Sequence, residues 1–140
     1  MNLSPHSSHV NRAELSRAVR ERALELGFAK VGIAAAGALE PEAAHLREWI
    51  ERGFHGRMEW MATGAARRAD PRVHMPAARS VISLAMNYFT PHEHRGADGT
   101  GKISRYAWGD DYHEVVGNRV RELMNWLREV VPDLEAKIAV

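Results

Sequence analysis

Helical and strand-like patterns alternate along this chain, and that order restricts it to folds that combine both. Apolar residues recur at helical spacing in residues 11–26 and again in residues 111–131, whereas residues 28–35 and 80–88 are short apolar runs typical of strands. We therefore expect an α/β (α+β layered) fold with a mixed β-sheet flanked by helices.

Local signals predict where the helices begin and end. Asn11, with Glu14 three residues later, resembles a capping box and predicts a first helix that stops at Gly27. Pro41 is a favoured first residue of a helix and predicts a second one that ends at Gly53. The last helix is predicted to span about residues 111–131 because Pro132 cannot continue it and its apolar residues share one face.

The remaining segments predict a central strand followed by a surface loop, a disordered leader and a strand at the C-terminal end. Residues 80–88 are apolar enough for a central strand, and residues 90–101 are rich in glycine and predict a mobile surface loop. Residues 1–10 are polar and predict a disordered leader before a domain of residues 11–140. Residues 135–140 predict a further strand, which either continues beyond Val140 or forms a short edge.

Composition excludes several classes of function. The chain has no cysteine, so it cannot itself provide thiolate ligands to zinc or to an iron–sulfur cluster. Its formal net charge is +1, which gives no global signal for nucleic-acid binding. No apolar run approaches the roughly 18–20 residues of a membrane span, and residues 1–9 lack the apolar stretch of a signal peptide. We expect a cytoplasmic protein without membrane association.

Common catalytic and metal-binding motifs find little support. His92 and His94 lie in a loop without a second pair of ligands, so no metal site is predicted. A hydrolase built from Ser83, Ser104 and His113 is not supported. The sequence has no strained Gly-x-Ser-x-Gly turn, and no acid is expected to orient the histidine. The glycines of residues 96–101 do not follow the spacing of a phosphate-binding loop.

Two other features leave alternatives open. The adjacent arginines Arg67 and Arg68 form either a solvated face or a site for an anion or an amide, which a guanidinium group can bind with its planar set of donors. Trp60 and Trp108 lie in predicted turns, where a flat ring can form the wall of a pocket.

Residues 103–113, Ile-Ser-Arg-Tyr-Ala-Trp-Gly-Asp-Asp-Tyr-His, carry the strongest functional signal. They run from a short β-like piece through a glycine to the start of a helix, and they concentrate aromatic and ionisable groups. Such a density is unusual for a segment that only changes the direction of the chain. We interpret it as an edge that faces a ligand.

Several motifs in this order resemble the N-terminal half of the tRNA epoxyqueuosine reductase family, over nearly the whole chain from about residue 11. They are the strand residues Lys30–Ile33, the run from Leu46 to Met61, the segment Arg67–Pro71, the strand residues Ala78–Ile82 and the motif Ile103–His113.

The resemblance implies a cobalamin-dependent oxidoreductase that reduces epoxyqueuosine to queuosine at the wobble position of tRNA. It implies a cobalamin-binding domain similar to nitroreductase-like folds, of which this chain would be the N-terminal part. Reduced cobalt would attack the epoxide while an acid protonates the leaving oxygen. The resemblance places that acid just after Val140 and two [4Fe-4S] clusters further on, so no catalytic residue is expected within this chain and the chain alone is expected to be inactive.

The resemblance also transfers candidate cofactor-binding residues. Arg68 and Ser104 match family positions that contact cobalamin. The other candidates match the motif without individual roles, and they are Arg105, Tyr106, Asp111, Tyr112 and His113.

The expected partners are tRNA carrying epoxyqueuosine, bound mostly through regions outside this chain, and an electron donor; the protein is expected to be a monomer. One alternative is a stand-alone cobalamin-binding or carrier module without catalysis. Another is a small α/β scaffold whose aromatic edge binds a protein partner or a flavin.

Overall fold

Helices and strands alternate in the computed structural model, which describes residues 11–93, 96 and 99–140. The elements are α1 (Arg12–Glu25), β1 (Lys30–Ala35), α2 (Glu40–Glu51), α3 (Glu59–Thr63), α4 (Ala65–Ala69), α5 (Pro71–His74), β2 (Ser80–Ala85), a 3-10 helix (Arg105–Ala107) and α6 (Tyr112–Val130). The predicted α/β class is confirmed. The predicted leader, residues 1–10, and the loop residue His94 lie outside the described residues.

The long helices begin and end close to the predicted residues because their capping signals are local. The Asn11 side chain accepts a hydrogen bond from the Ala13 amide at 3.0 Å, so the cap forms with Ala13 rather than with Glu14. α1 ends at Glu25, and Gly27 follows with a φ of +89°, which a residue without Cβ adopts readily. α2 begins one residue before Pro41.

The described chain forms two compact units. Unit 1 contains the described residues up to Gly32 and those from Ser83 to Val140, and unit 2 contains Ile33–Ile82. In unit 1, α1 packs against α6, as the apolar faces of both helices predict. Its buried apolar residues are Val19, Ala23, Phe28, Leu123 and Leu127.

Unit 2 consists mainly of short helices with little buried apolar surface. α4 packs against α2, α3 and α5, and the Leu39 amide donates to the Ala69 carbonyl at 2.8 Å, which joins the start of α2 to the end of α4. Ala43 is its buried apolar residue, whereas the larger rings of Phe54 and Trp60 are exposed. Unit 2 therefore presents two of its aromatic rings, Phe54 and Trp60, to solvent.

The two strands pair in opposite directions. The Ala29 amide donates to the Ala85 carbonyl at 2.7 Å, and the Ala36 amide donates to the Arg79 carbonyl at 3.0 Å, so the ladder is antiparallel. In the described part of the chain the sheet has the order β1-β2, and β2 is not flanked on both sides as a central strand would be. β2 also ends at Ala85 rather than at residue 88.

Two predicted strand-like segments do not form strands. Residues 135–140 are assigned no ladder, although half-buried and exposed residues alternate there up to Ala139. Ile103 precedes the 3-10 helix and is likewise outside any strand. Alternation predicts two faces, but a strand also needs a hydrogen-bonded neighbour, which local spacing does not specify.

Among the described residues, no helix combines the length and apolar content that a membrane span requires.

Candidate functional site

Residues 103–108 form a tight turn in unit 1 that is held by its own backbone and by an indole ring. The Ala107 amide donates to the Ser104 carbonyl at 3.0 Å, which closes the 3-10 helix. The Trp108 Nε1–H donates to the Ile103 carbonyl at 2.9 Å. Trp108 is half-buried because of this bond, while the Ile103 side chain remains 68% exposed. The indole thus braces the turn and leaves an apolar side chain free for contact.

Arg105 lies between two aromatic rings. Its guanidinium carbon is 5.3 Å from the centroid of the Phe89 ring and 5.8 Å from that of Trp108. Both distances fall within the range in which a cation is attracted to the negative face of a ring. These contacts hold the guanidinium group in one region, where its remaining N–H groups can bind an acceptor.

Two tyrosines and a histidine stack beside the turn. The Tyr106 and Tyr112 rings are 5.8 Å apart and nearly perpendicular, with an angle of 77° between their planes. The Tyr112 and His113 rings are 4.0 Å apart and stacked at 29°. Tyr106, Tyr112 and His113 are all exposed. The cluster therefore offers flat faces and polar ring atoms to solvent.

Asp111 fixes the start of α6 and the orientation of His113, so the expectation that no acid orients this histidine was wrong. Its Oδ1 accepts the His113 amide at 2.9 Å and lies 2.8 Å from His113 Nδ1. These bonds, the backbone amide first and the imidazole second, hold the pKa of the Asp111 carboxyl below its ordinary range. Because an ionised carboxylate only accepts hydrogen bonds, Nδ1 must carry the proton, and Nε2 of a neutral imidazole is then an acceptor.

Ser104 immediately precedes the 3-10 helix in an extended conformation, with φ −63° and ψ 139°. Its hydroxyl makes no capping hydrogen bond to the turn, and the residue is exposed. The hydroxyl is therefore available to a ligand as both a donor and an acceptor.

Arg68 lies in unit 2, whereas the other predicted cofactor-binding residues lie in unit 1. Its guanidinium carbon is 5.0 Å from the centroid of the Trp60 ring, and its Nη1 donates to the Trp60 carbonyl at 3.4 Å. The guanidinium group also passes directly over the Cα of Gly64, in the space that a Cβ would occupy. Trp60 and Gly64 thus set the position of Arg68.

The residues after Arg68 form a rigid corner between α4 and α5. Asp70 accepts the Arg72 amide at 2.8 Å, Nε at 3.0 Å and Nη2 at 2.7 Å. The Arg72 guanidinium is the main cause that lowers the pKa of the Asp70 carboxyl. This ion pair and Pro71 end α4 at Ala69, immediately after Arg68.

The chemistry of these groups suits a large ligand that is apolar on its faces and polar at its rim. The corrin ring of cobalamin carries many carboxamides, whose oxygens accept from guanidinium, hydroxyl and imidazole groups, while its faces contact aromatic rings. The residues present therefore fit the cofactor that the resemblance implies. Within residues 11–93, 96 and 99–140, no three His, Asp or Glu side chains are grouped as ligands for a metal ion.

Two residues that position candidate side chains, one in each unit, were not predicted from the sequence. Phe89 contacts Arg105, and its only signal is the aromatic pair Tyr88–Phe89 directly after a strand. Gly64 lies beneath Arg68, and nothing in its sequence neighbourhood distinguishes it from a glycine that only ends a helix.

Similarity to known proteins indicates the family of the chain. Residues 68–140 match the sequence model of the family described as "Epoxyqueuosine reductase QueG, DUF1730". An epoxyqueuosine reductase of Synechocystis sp. is 43% identical over 112 residues, which cover 79% of this chain and 38% of that protein. An epoxyqueuosine reductase of Cellulophaga algicola is 38% identical over 122 residues, which cover 87% of this chain and 39% of that protein.

The structure of epoxyqueuosine reductase from Streptococcus thermophilus has the same fold over 88% of this chain and 34% of that one, with a TM-score of 0.69 and 24% identity. The chain thus spans less than two fifths of that structure and of the two relatives above. The resemblance seen in the sequence is confirmed: the chain belongs to the epoxyqueuosine reductase QueG family, DUF1730.

Proposed function

We propose that this chain is the cofactor-binding part of an enzyme that reduces epoxyqueuosine to queuosine in tRNA with the help of cobalamin. The relatives that support this proposal are named epoxyqueuosine reductase, which places the family in queuosine biosynthesis. The observation that carries it is the exposed aromatic and arginine edge of residues 103–113, which fits an amide-rimmed macrocycle. As in the sequence analysis, the protein is proposed to act as a cytoplasmic monomer.

The residues of the edge bind and orient the cofactor. Ser104 and Arg105 would donate hydrogen bonds to carboxamide oxygens, and the Tyr106 ring would contact an apolar face of the macrocycle. A neutral His113 with its proton on Nδ1, facing Asp111, would accept a hydrogen bond from a carboxamide at Nε2. Asp111 therefore acts as a positioning residue.

Arg68 is proposed to donate hydrogen bonds to cobalamin as well. Because Trp60 and Gly64 restrict its guanidinium group, little side-chain entropy is lost when it binds. Cobalamin, when bound, would supply a nucleophilic metal centre for the opening of the epoxide. Electrons are proposed to come from an external donor through two [4Fe-4S] clusters, whose thiolate ligands these 140 residues do not contain.

A cobalamin titration of the purified protein, followed by visible absorption, tests the proposal. We expect a saturable spectral change. Arg68→Ala removes a charged hydrogen bond worth roughly 1.5–3 kcal/mol, so the Kd should rise about 10- to 150-fold. Ser104→Ala removes a hydrogen bond between uncharged groups and should raise the Kd for cobalamin less, about 2- to 10-fold.

Arg52→Ala is the matched control, because Arg52 is also an exposed arginine, 4.8 Å from the centroid of the Phe54 ring. Its Kd should equal that of the wild type. An Arg68→Ala protein that binds cobalamin as tightly as the control would remove Arg68 from the site. A full-length protein that binds cobalamin but does not reduce epoxyqueuosine would favour the carrier module.

A further inference from the structure

The turn between α2 and α3 exposes a phenylalanine ring beneath an arginine. Phe54 is 56% exposed, and the Arg52 guanidinium carbon is 4.8 Å from its ring centroid. Gly53 and Gly56 adopt φ values of +70° and +56°, and they flank the two residues at the tip of the turn. The turn therefore holds one face of the ring under a cation, outside the packed helices of unit 2.

Positive charge concentrates around this turn although the whole chain is nearly neutral. Residues 47–68 contain five arginines and three glutamates, so this segment alone carries a formal charge of +2, against +1 for the whole chain. Arg57 and Arg67 are exposed and form no ion pair within unit 2, all of whose residues are described. Arg52 is paired with Glu48 at 3.1 Å, in a bond that is open to solvent.

An aromatic ring with only a structural role is normally packed into a core. Phe54 is not, and Met58 and Trp60, which follow within six residues, are exposed as well. An acidic peptide would be attracted by the arginines but would gain nothing specific from a flat exposed ring. A single-stranded nucleic acid binds both the arginines and the exposed ring, since its phosphates bind guanidinium groups and its unpaired bases stack on aromatic faces.

We propose that the 52–57 turn binds unpaired nucleotides of the RNA substrate, with one base stacked on Phe54 and neighbouring phosphates bound by Arg52 and Arg57. This inference rests on the proposed function for the identity of the RNA, and it assigns RNA contact to residues other than those proposed to bind cobalamin. Stacking tolerates every base, so the turn supplies affinity rather than sequence recognition.

Fluorescence anisotropy with a labelled RNA hairpin that carries an unpaired loop tests the inference on the purified protein. Phe54→Ala should weaken binding roughly 5- to 150-fold, the measured range for one stacked base. Phe54→Tyr keeps a flat ring and should restore the affinity, whereas Phe54→Leu keeps apolar bulk without a ring face and should not. Arg57→Ala should reduce the slope of log Kd against log salt by about 1.

Arg17→Ala is the control, because Arg17 is an exposed arginine on α1 in unit 1 and its loss changes the net charge equally. Hairpin affinity that responds equally to Arg17→Ala and Arg57→Ala, and not to Phe54→Ala, would overturn the inference in favour of diffuse charge attraction. The inference would also be overturned if a fully paired duplex bound as tightly as the hairpin and Phe54→Ala left that affinity unchanged.

The cobalamin titration separates this inference from the proposed function. Every variant of the turn should bind cobalamin as the wild type does. If the wild-type protein binds cobalamin and Phe54→Ala does not weaken RNA binding, only the RNA surface is rejected. If the wild-type protein shows no cobalamin spectral change, the proposed function is rejected.

Discussion

At the residue scale, the absence of a side chain at Gly64 decides where Arg68 can lie. The φ of Gly64 is −94°, which alanine also adopts, but an added Cβ would meet Arg68 Nη1 and would lie 2.9 Å from the Trp60 carbonyl oxygen. We expect Gly64→Ala to displace the guanidinium group, to raise the cobalamin Kd toward that of Arg68→Ala, and to lower the free energy of unfolding by about 1–3 kcal/mol.

Cobalamin titration and chemical denaturation of Gly64→Ala check this expectation. Gly37→Ala is the matched control, because its Cβ would meet nothing within 4 Å. It should leave both quantities near their wild-type values. Wild-type cobalamin affinity in Gly64→Ala would show that the position of Arg68 does not depend on this glycine.

At the element scale, the ionisable carboxyl of Asp111 caps the start of α6 and makes the stability of this cap depend on pH. Hydrogen bonds from His113 lower the pKa of this carboxyl in the folded protein, so the carboxylate stabilises the fold at any pH above its ordinary unfolded pKa of about 3.9. That stabilisation is lost as the pH falls through the lower folded value. We therefore expect the His113 amide resonance to shift in an acid titration with a midpoint below about 3.9.

Asp111→Asn should abolish this transition while preserving the helix cap, because an asparagine oxygen also accepts an amide hydrogen bond. Asp110→Asn removes a neighbouring carboxyl and should leave the transition in place. NMR spectra recorded across the acid range compare the three proteins. A midpoint at or above the ordinary aspartate value in the wild type would contradict the proposed capping geometry.

The elements also show what sequence could and could not predict. α1, α2 and α6 were predicted closely because caps and apolar periodicity act within a few residues of each other. Residues 135–140 were predicted as a strand and form none, since strand formation depends on a partner distant in sequence. The motif of residues 103–113 was located from its composition, but the contact of Arg105 with Phe89 joins residues 16 positions apart and has no local signature.

At the scale of the whole molecule, the two units differ in how much apolar surface they bury. Five buried apolar side chains support unit 1, including Phe28, whereas unit 2 has Ala43 among its described residues. Because apolar burial is the main favourable term in folding, unit 2 should open more readily. Hydrogen exchange should therefore be faster for the amides of α2 than for those of α6.

Leu123→Ala tests whether the core of unit 1 is independent of unit 2. Leu123 is 3% exposed, and its truncation should lower the free energy of unfolding by about 2–5 kcal/mol. The amides of α1 and α6 should lose protection, while those of α2, which open locally in the wild type, should change little. Leu24→Ala, at a position that is 54% exposed, should alter neither quantity. An equal loss of protection in α2 and α6 would mean that the two units unfold as one, because then the α2 amides would exchange only through the global transition that Leu123 stabilises.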